Sequence, residues 1–117
     1  MAKILIVDDS RTSRKVLKTI LEDGGHEVIG EATDGMDGLT KFKELSPDIT
    51  TLDITMPVMD GLQALKAIRE VDSSAKIVMV TAAGQHTNMV DALKLGASEF
   101  VTKPFESEAI LAVINKM

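Results

Sequence analysis

Short apolar runs alternate with amphipathic helical patterns five times along this chain, and that strict alternation is what most narrows its possible folds. Lys3–Val7 reads as a strand whose continuous apolar run, Ile4–Val7, is the mark of burial on both faces. Ser10 can cap a helix from about Arg11 to Asp23, with Val16, Leu17, Ile20 and Leu21 on one face, and Gly24-Gly25 supplies a left-handed stop. The same reading gives strands over Glu27–Ala32, Ile49–Asp53, Lys76–Thr81 and Glu99–Thr102. It gives helices over Met36–Leu45 (Leu39 and Phe42 inward), Leu62–Val71 (Leu62, Leu65 and Ile68 inward), Asn88–Leu95, and Ser107 to about Lys116. Crossovers between parallel neighbours are right-handed, so helices must cover both faces of the sheet. Five units are too few to close an eight-stranded barrel. The expected fold is therefore an α/β, open, doubly wound five-stranded parallel sheet flanked by five helices. Ligands in such sheets bind beyond the carboxyl ends of the strands.

No repeat, linker or low-complexity tract interrupts the pattern, so residues 1–117 read as one domain. With three Phe and no Trp or Tyr, the core must be built from Ile, Leu, Val, Ala and Met. The chain has no Cys, which excludes disulfides, thiolate nucleophiles and Cys-ligated metals. A net charge of −5 with scattered basic residues argues against nucleic acid and against a membrane-surface helix. The four apolar residues Ile4–Val7 are too few for a signal peptide or a span, so a cytoplasmic protein is expected.

The predicted strands end in Asp8-Asp9, Asp53, Thr81 and Thr102-Lys103, and the fold gathers these ends at one edge. Two like charges about 4 Å apart repel by about 4 kcal/mol at an effective dielectric of about 20, so clustered carboxylates need a proton or a cation. Oxygen ligands without imidazole or thiolate select a hard ion, and a small site with few ligands favours Mg²⁺ over Ca²⁺. Three carboxylates, one ammonium and one divalent ion sum to neutrality, which would admit a dianionic phosphoryl group. Asp8-Asp9 alone would read as charge at a helix N-terminus. Asp53 and Lys103 beside them make that reading the weaker one. Gly25 and Gly30 have the spacing of a phosphate loop, but Glu31 stands where lysine is needed.

Four motifs in order carry a family resemblance over essentially the whole chain: Val7-Asp8-Asp9-Ser10, Leu52-Asp53 through Met56-Pro57 to Asp60-Gly61, Val80-Thr81-Ala82-Ala83, and Thr102-Lys103-Pro104-Phe105. The sequence resembles the receiver domain of two-component response regulators. The resemblance implies a flavodoxin-like sheet with strand order 2-1-3-4-5. It implies that Asp53 is the phosphoacceptor, a carboxylate nucleophile that forms an acyl phosphate. Asp9, Asp53 and the backbone carbonyl of Thr55 would bind Mg²⁺ directly, with Asp8 acting largely through water. Thr81 and Lys103 would each contact a phosphoryl oxygen, Lys103-Pro104 would be cis, and Phe100 would rotate as Thr81 shifts.

Several of these residues have blander readings. Thr81 alone is a β-propensity choice and Lys103 alone a surface cation. Phe100 as sheet-edge packing stands level with Phe100 as a switch. Met56 and Met59 read as loop and core packing, and His26 and His86 as surface histidines.

The leading functional expectation is a monomeric, stand-alone regulator of the chemotaxis type that receives its phosphoryl group from a histidine kinase. It would signal to a downstream effector protein, such as a flagellar motor switch, through its fourth helix, fifth strand and fifth helix. The chain stops at the last predicted helix, and by the same resemblance Ala83-Gly84-Gln85 leans the same way. It would catalyse only its own phosphorylation and dephosphorylation. A receiver fragment of a transcription factor and a phosphorelay carrier stay open. A Mg²⁺-dependent phosphohydrolase is disfavoured, because such enzymes place their two carboxylates as D-x-D on one strand. By the same resemblance Thr55 and Ala83 flank the path of an attacking water. Neither can hold a water firmly, so a phosphoryl group of intermediate lifetime is expected.

Overall fold

The computed structural model describes residues 1–54, 56–82 and 86–117, with side chains throughout except at 86–88. Five strands, β1 (Lys3–Val7), β2 (Glu27–Ala32), β3 (Ile49–Asp53), β4 (Lys76–Thr81) and β5 (Glu99–Thr102), form one parallel sheet in the order β2-β1-β3-β4-β5. They alternate with α1 (Arg11–Asp23), α2 (Gly35–Leu45), α3 (Gly61–Val71), α4 (His86–Lys94) and α5 (Ser107–Asn115). All five strands and the start of α1 lie where the sequence pattern put them.

Alternation along each strand sends side chains to two cores. One face carries Leu5, Val7, Leu52, Ile54, Ile77 and Met79 against Phe42 of α2, Leu65 and Ile68 of α3 and Ala92 of α4. The other carries Ile4, Ile6, Ile49, Val78 and Val80 against Leu17, Ile20 and Leu21 of α1 and Ile110 and Ile114 of α5. Strand order reverses between β1 and β3, with Val7 paired to Leu52. The two strand ends bearing Asp8 and Asp53 are thereby adjacent.

The differences from the sequence reading are local. Val16 is exposed, because it lies about 90° around α1 from the centre of the buried Leu17, Ile20 and Leu21 stripe. Gly25 alone takes the left-handed conformation after α1 (φ 88°), while Gly24 does not (φ −82°). Helices α2 and α3 start one residue early at Gly35 and Gly61, because Asp34 and Asp60 are their N-caps. Asp60 accepts from the Gln63 N–H while Gln63 reaches back to the Asp60 N–H, a reciprocal capping box. Helix α4 starts two residues earlier and ends one earlier than the pattern suggested, and α5 ends at Asn115. His26 is half-buried rather than a plain surface residue: its Nδ1 accepts from the Ala2 N–H at 3.0 Å, leaving Nε2 to donate to Asn115 at 2.8 Å. The side chain of His86 lies outside the described residues. Met56 is buried and Met59 packs on the α2–α4 side, as core packing required.

The loop leaving β3 is drawn tightly onto the sheet. The Gly61 N–H donates to the Ile54 carbonyl at 2.8 Å, and a Cβ at Gly61 would sit 2.1 Å from the Asp53 carbonyl oxygen. Only glycine fits there, since the obstacle is backbone and cannot rotate away. Gly61→Ala is therefore expected to cost about 2 kcal/mol and displace the end of β3, read as a lower denaturation midpoint with shifted Asp53 and Ile54 amide resonances. An alanine variant of parent stability would mean that the loop has slack the close contact does not suggest.

Candidate acidic site

At the carboxyl end of β1 the chain turns into α1, and Asp8 is fixed on every side. Its N–H donates to the Ala32 carbonyl at 3.0 Å, Oδ1 accepts from the Ser10 N–H at 2.8 Å, and Oδ2 lies 3.1 Å from the Lys103 ammonium. Ser10 in turn caps α1 by accepting from the Ser13 N–H at 3.2 Å. Asp8 is buried and Asp9 is exposed. Asp53 closes β3, is buried, and places Oδ1 3.6 Å from the same ammonium. Carboxylate oxygens of Asp8, Asp9 and Asp53 all lie within 4.8 Å of one another. The three residues that the sequence pattern put at strand ends are one cluster, with Lys103 as its cation.

The electrostatics follow from this crowding. Burial pushes the Asp53 carboxyl up to about 6; Asp8 and, less strongly, Asp9 push the same way, while Lys103 opposes them. For Lys103, burial opposes the charge, but its hydrogen bond to Asp8 and the charges of Asp53 and Asp8 outweigh that and raise it above the ordinary lysine value. One ammonium facing three carboxylates leaves a formal excess of two negative charges in a partly buried site. The donor set is oxygen only, clustered, and under-neutralised by the charge of one divalent ion. It therefore fits Mg²⁺.

Thr81 ends β4 beside Asp53 and is buried. Its hydroxyl faces the Val101 carbonyl of β5 at 3.4 Å, a long and weak bond, while its own carbonyl accepts from the Lys103 N–H at 2.8 Å. The Lys103-Pro104 peptide is cis. Phe100 pairs with Met79 across the sheet and is partly buried on the α2–α4 side. It also borders a cleft of about 290 Å³ between β5 and α5, together with Pro104, Ala109 and Val113. Thr55 and Ala83, the positions tied to phosphoryl lifetime, lie outside the described residues, as do Gly84 and Gln85.

Arg14 was not singled out by any motif. Its guanidinium donates through Nη1 to the Asp8 carbonyl at 2.8 Å and through Nε to Glu31 at 3.2 Å. The available signal was its place on α1, one turn after the Ser10 cap, where a long side chain points back over the preceding turn.

Comparison with known proteins agrees with this geometry. Residues 4–115 match the response regulator receiver domain family. The chain is 47% identical over 114 residues to the chemotaxis protein CheY of Bacillus subtilis, covering 97% of this chain and 95% of that one. It is 45% identical over 115 residues to CheY of Thermotoga maritima, covering 98% and 96%. Among solved structures, the CheX–CheY–BeF3–Mg²⁺ complex from Borrelia burgdorferi superimposes with a TM-score of 0.92 at 38% identity, over 97% of this chain and 87% of that chain. Fold, acidic cluster and sequence agree, and this chain belongs to the family of response regulator receiver domains.

Proposed function

We propose that this protein is a chemotaxis-type response regulator that takes a phosphoryl group from a histidine kinase onto Asp53. The observation that carries the choice of residue is the difference between the two buried carboxylates. Both oxygens of Asp8 are committed, to the Ser10 N–H and to Lys103. Among the described residues, Asp53 has only Lys103 beside one oxygen. Burial pushes its carboxyl up to about 6, still below neutral pH, so the group is ionised yet poorly solvated, which suits a nucleophile. In the reaction an Asp53 oxygen attacks phosphorus as the phosphorus–nitrogen bond to the donor imidazole breaks, and the imidazole leaves with its electron pair. Asp9, Asp53 and the Thr55 carbonyl would hold Mg²⁺, with Asp8 acting largely through water, and the ion when bound neutralises charge on the phosphoryl oxygens. Lys103, released from Asp53, pairs with one of those oxygens, and Thr81 gives up its weak bond to Val101 to reach another.

The signal then travels as a population shift, since only contacts that differ between the two states can move the equilibrium. Thr81 and Phe100 are the coupled pair in this reading, and the partner meets the surface of α4, β5 and α5, where Val90 and Leu93 are exposed. A flagellar motor switch protein in the cytoplasm is the effector that the kinship to CheY suggests. The protein acts on no substrate but itself.

Intact-mass measurement with acetyl phosphate and Mg²⁺ tests the assignment. The parent is expected to gain one phosphoryl group and Asp53→Asn none. Equal labelling of the Asn variant would overturn it.

A further inference from the structure

We infer that Arg14 is a positioning residue for the acidic site, acting through the main chain of Asp8 rather than by touching metal or phosphate. The inference rests on the reading of Asp8, Asp9 and Asp53 as the Mg²⁺ and phosphorylation site. Asp9 is exposed and follows directly on Asp8, so the direction of its carboxylate depends on the peptide plane that joins the two residues. The carbonyl of that plane is what Arg14 grips, at 2.8 Å. Rotation of the plane would swing Asp9 away from Asp53, and the charged hydrogen bond resists it.

The grip is itself anchored. Arg14 is only 14% exposed, and its Nε donates to the Glu31 carboxylate at 3.2 Å. Glu31 is held on β2, where Lys41 of α2 donates to its backbone carbonyl and Lys18 of α1 lies 4.0 Å from its carboxylate. Lys41 is also paired with Asp37 at 3.3 Å. The guanidinium thus has one fork on the turn that carries the acidic pair and the other on the neighbouring strand. A planar, doubly bonded guanidinium fixes direction as well as distance, which an ammonium cannot do.

Partners that orient a metal's ligands typically govern tenfold or more in affinity. Titration with MgCl₂ alone, followed by amide chemical shifts, is the deciding measurement. Arg14→Met is expected to weaken Mg²⁺ binding by about tenfold and to shift the Asp8, Asp9 and Ser10 amides in the metal-free protein. Arg14→Lys, keeping one bond of the two, is expected to fall between Met and the parent. Glu31→Gln leaves the grip on the Asp8 carbonyl but loosens its anchor, and is expected to weaken binding by about two- to threefold, so it decides the matter should the Met variant fold poorly. Labelling by acetyl phosphate should recover in all three variants as Mg²⁺ is raised to saturation. Parent-like Mg²⁺ affinity in folded Arg14→Met, or in Glu31→Gln, overturns the inference. A parent protein that neither binds Mg²⁺ nor labels on Asp53 would instead overturn the reading of the site beneath it.

Discussion

Asp53→Asn is expected to be more stable than the parent in Mg²⁺-free buffer near neutral pH, although it removes the residue on which the proposed chemistry depends. The sign comes from the direction in which the site moves the Asp53 carboxyl. A carboxyl raised from 3.8 to about 6 on folding binds its proton more tightly in the native state. Its contribution to stability is therefore complete below about pH 4 and is lost as pH rises through about 6. A rise of that size corresponds to about 3 kcal/mol, and the partial solvent access of the site reduces this to about 2 kcal/mol. The parent should thus lose stability between about pH 4 and 7 where the Asn variant does not, and the variant should melt several degrees higher at about pH 7. Added Mg²⁺ reverses the order: the parent gains, because the ion binds only the folded site, and the variant gains less. Melts at four pH values with EDTA and with millimolar Mg²⁺ check both arms. An Asn variant that melts at or below the parent at neutral pH without metal would show that Asp53 carries no such strain.

The strand pattern was legible because β1, β3 and β4 are almost wholly buried and read as apolar or β-branched runs, while the half-buried edge strands β2 and β5 are marked off by the helical patterns on either side. Strand ends were legible for the same reason, and with them Asp8, Asp53, Thr81 and Lys103. What stayed hidden was anything set by side chains reaching across elements. Val16 fits the apolar period yet is exposed, since a narrow stripe excludes a residue about 90° from its centre. Gly35 and Gly61 fall one residue outside the helices that the sequence pattern predicts, but each is the first residue of a helix whose cap is the preceding Asp. The tie from His26 to Ala2 and Asn115 joins residues 24 and 89 positions apart, a separation no local pattern reports. Arg14 escaped notice for a related reason: one of its two partners is a main-chain carbonyl, which has no signature in sequence. The direction of the Thr81 hydroxyl, toward Val101 and not toward Asp53, was likewise beyond the sequence, and it bears on mechanism. It means that the contact proposed for the phosphorylated state is absent from this one, leaving a difference for the phosphoryl group to act on.

Lys103→Met should have the second large effect, opposite in sign to that of Asp53→Asn. The ammonium lies 3.1 Å from Asp8 and 3.6 Å from Asp53, and it is the cation that holds two buried carboxylates together before any metal arrives. The raised Lys103 value means that its contribution is fully present below about pH 10.5 and is lost only as pH rises through the still higher folded value, so it operates across the whole neutral range. Removing one partner of a fully buried pair costs about 3–5 kcal/mol, and exposure of about a quarter of the lysine lowers the expectation to about 2 kcal/mol. That deficit should depend on pH in a way a packing defect would not. Without Lys103 the Asp53 carboxyl is pushed further up, so acidification toward about pH 4 neutralises it and closes the gap between variant and parent. Millimolar Mg²⁺ should also close much of the gap, because a divalent ion can replace the missing counter-charge. It should not restore labelling by acetyl phosphate, since Lys103 is also the partner proposed for a phosphoryl oxygen. A deficit that is the same at every pH and indifferent to Mg²⁺ would identify Lys103 as a packing residue. Labelling at the parent rate in saturating Mg²⁺ would remove it from the phosphoryl site.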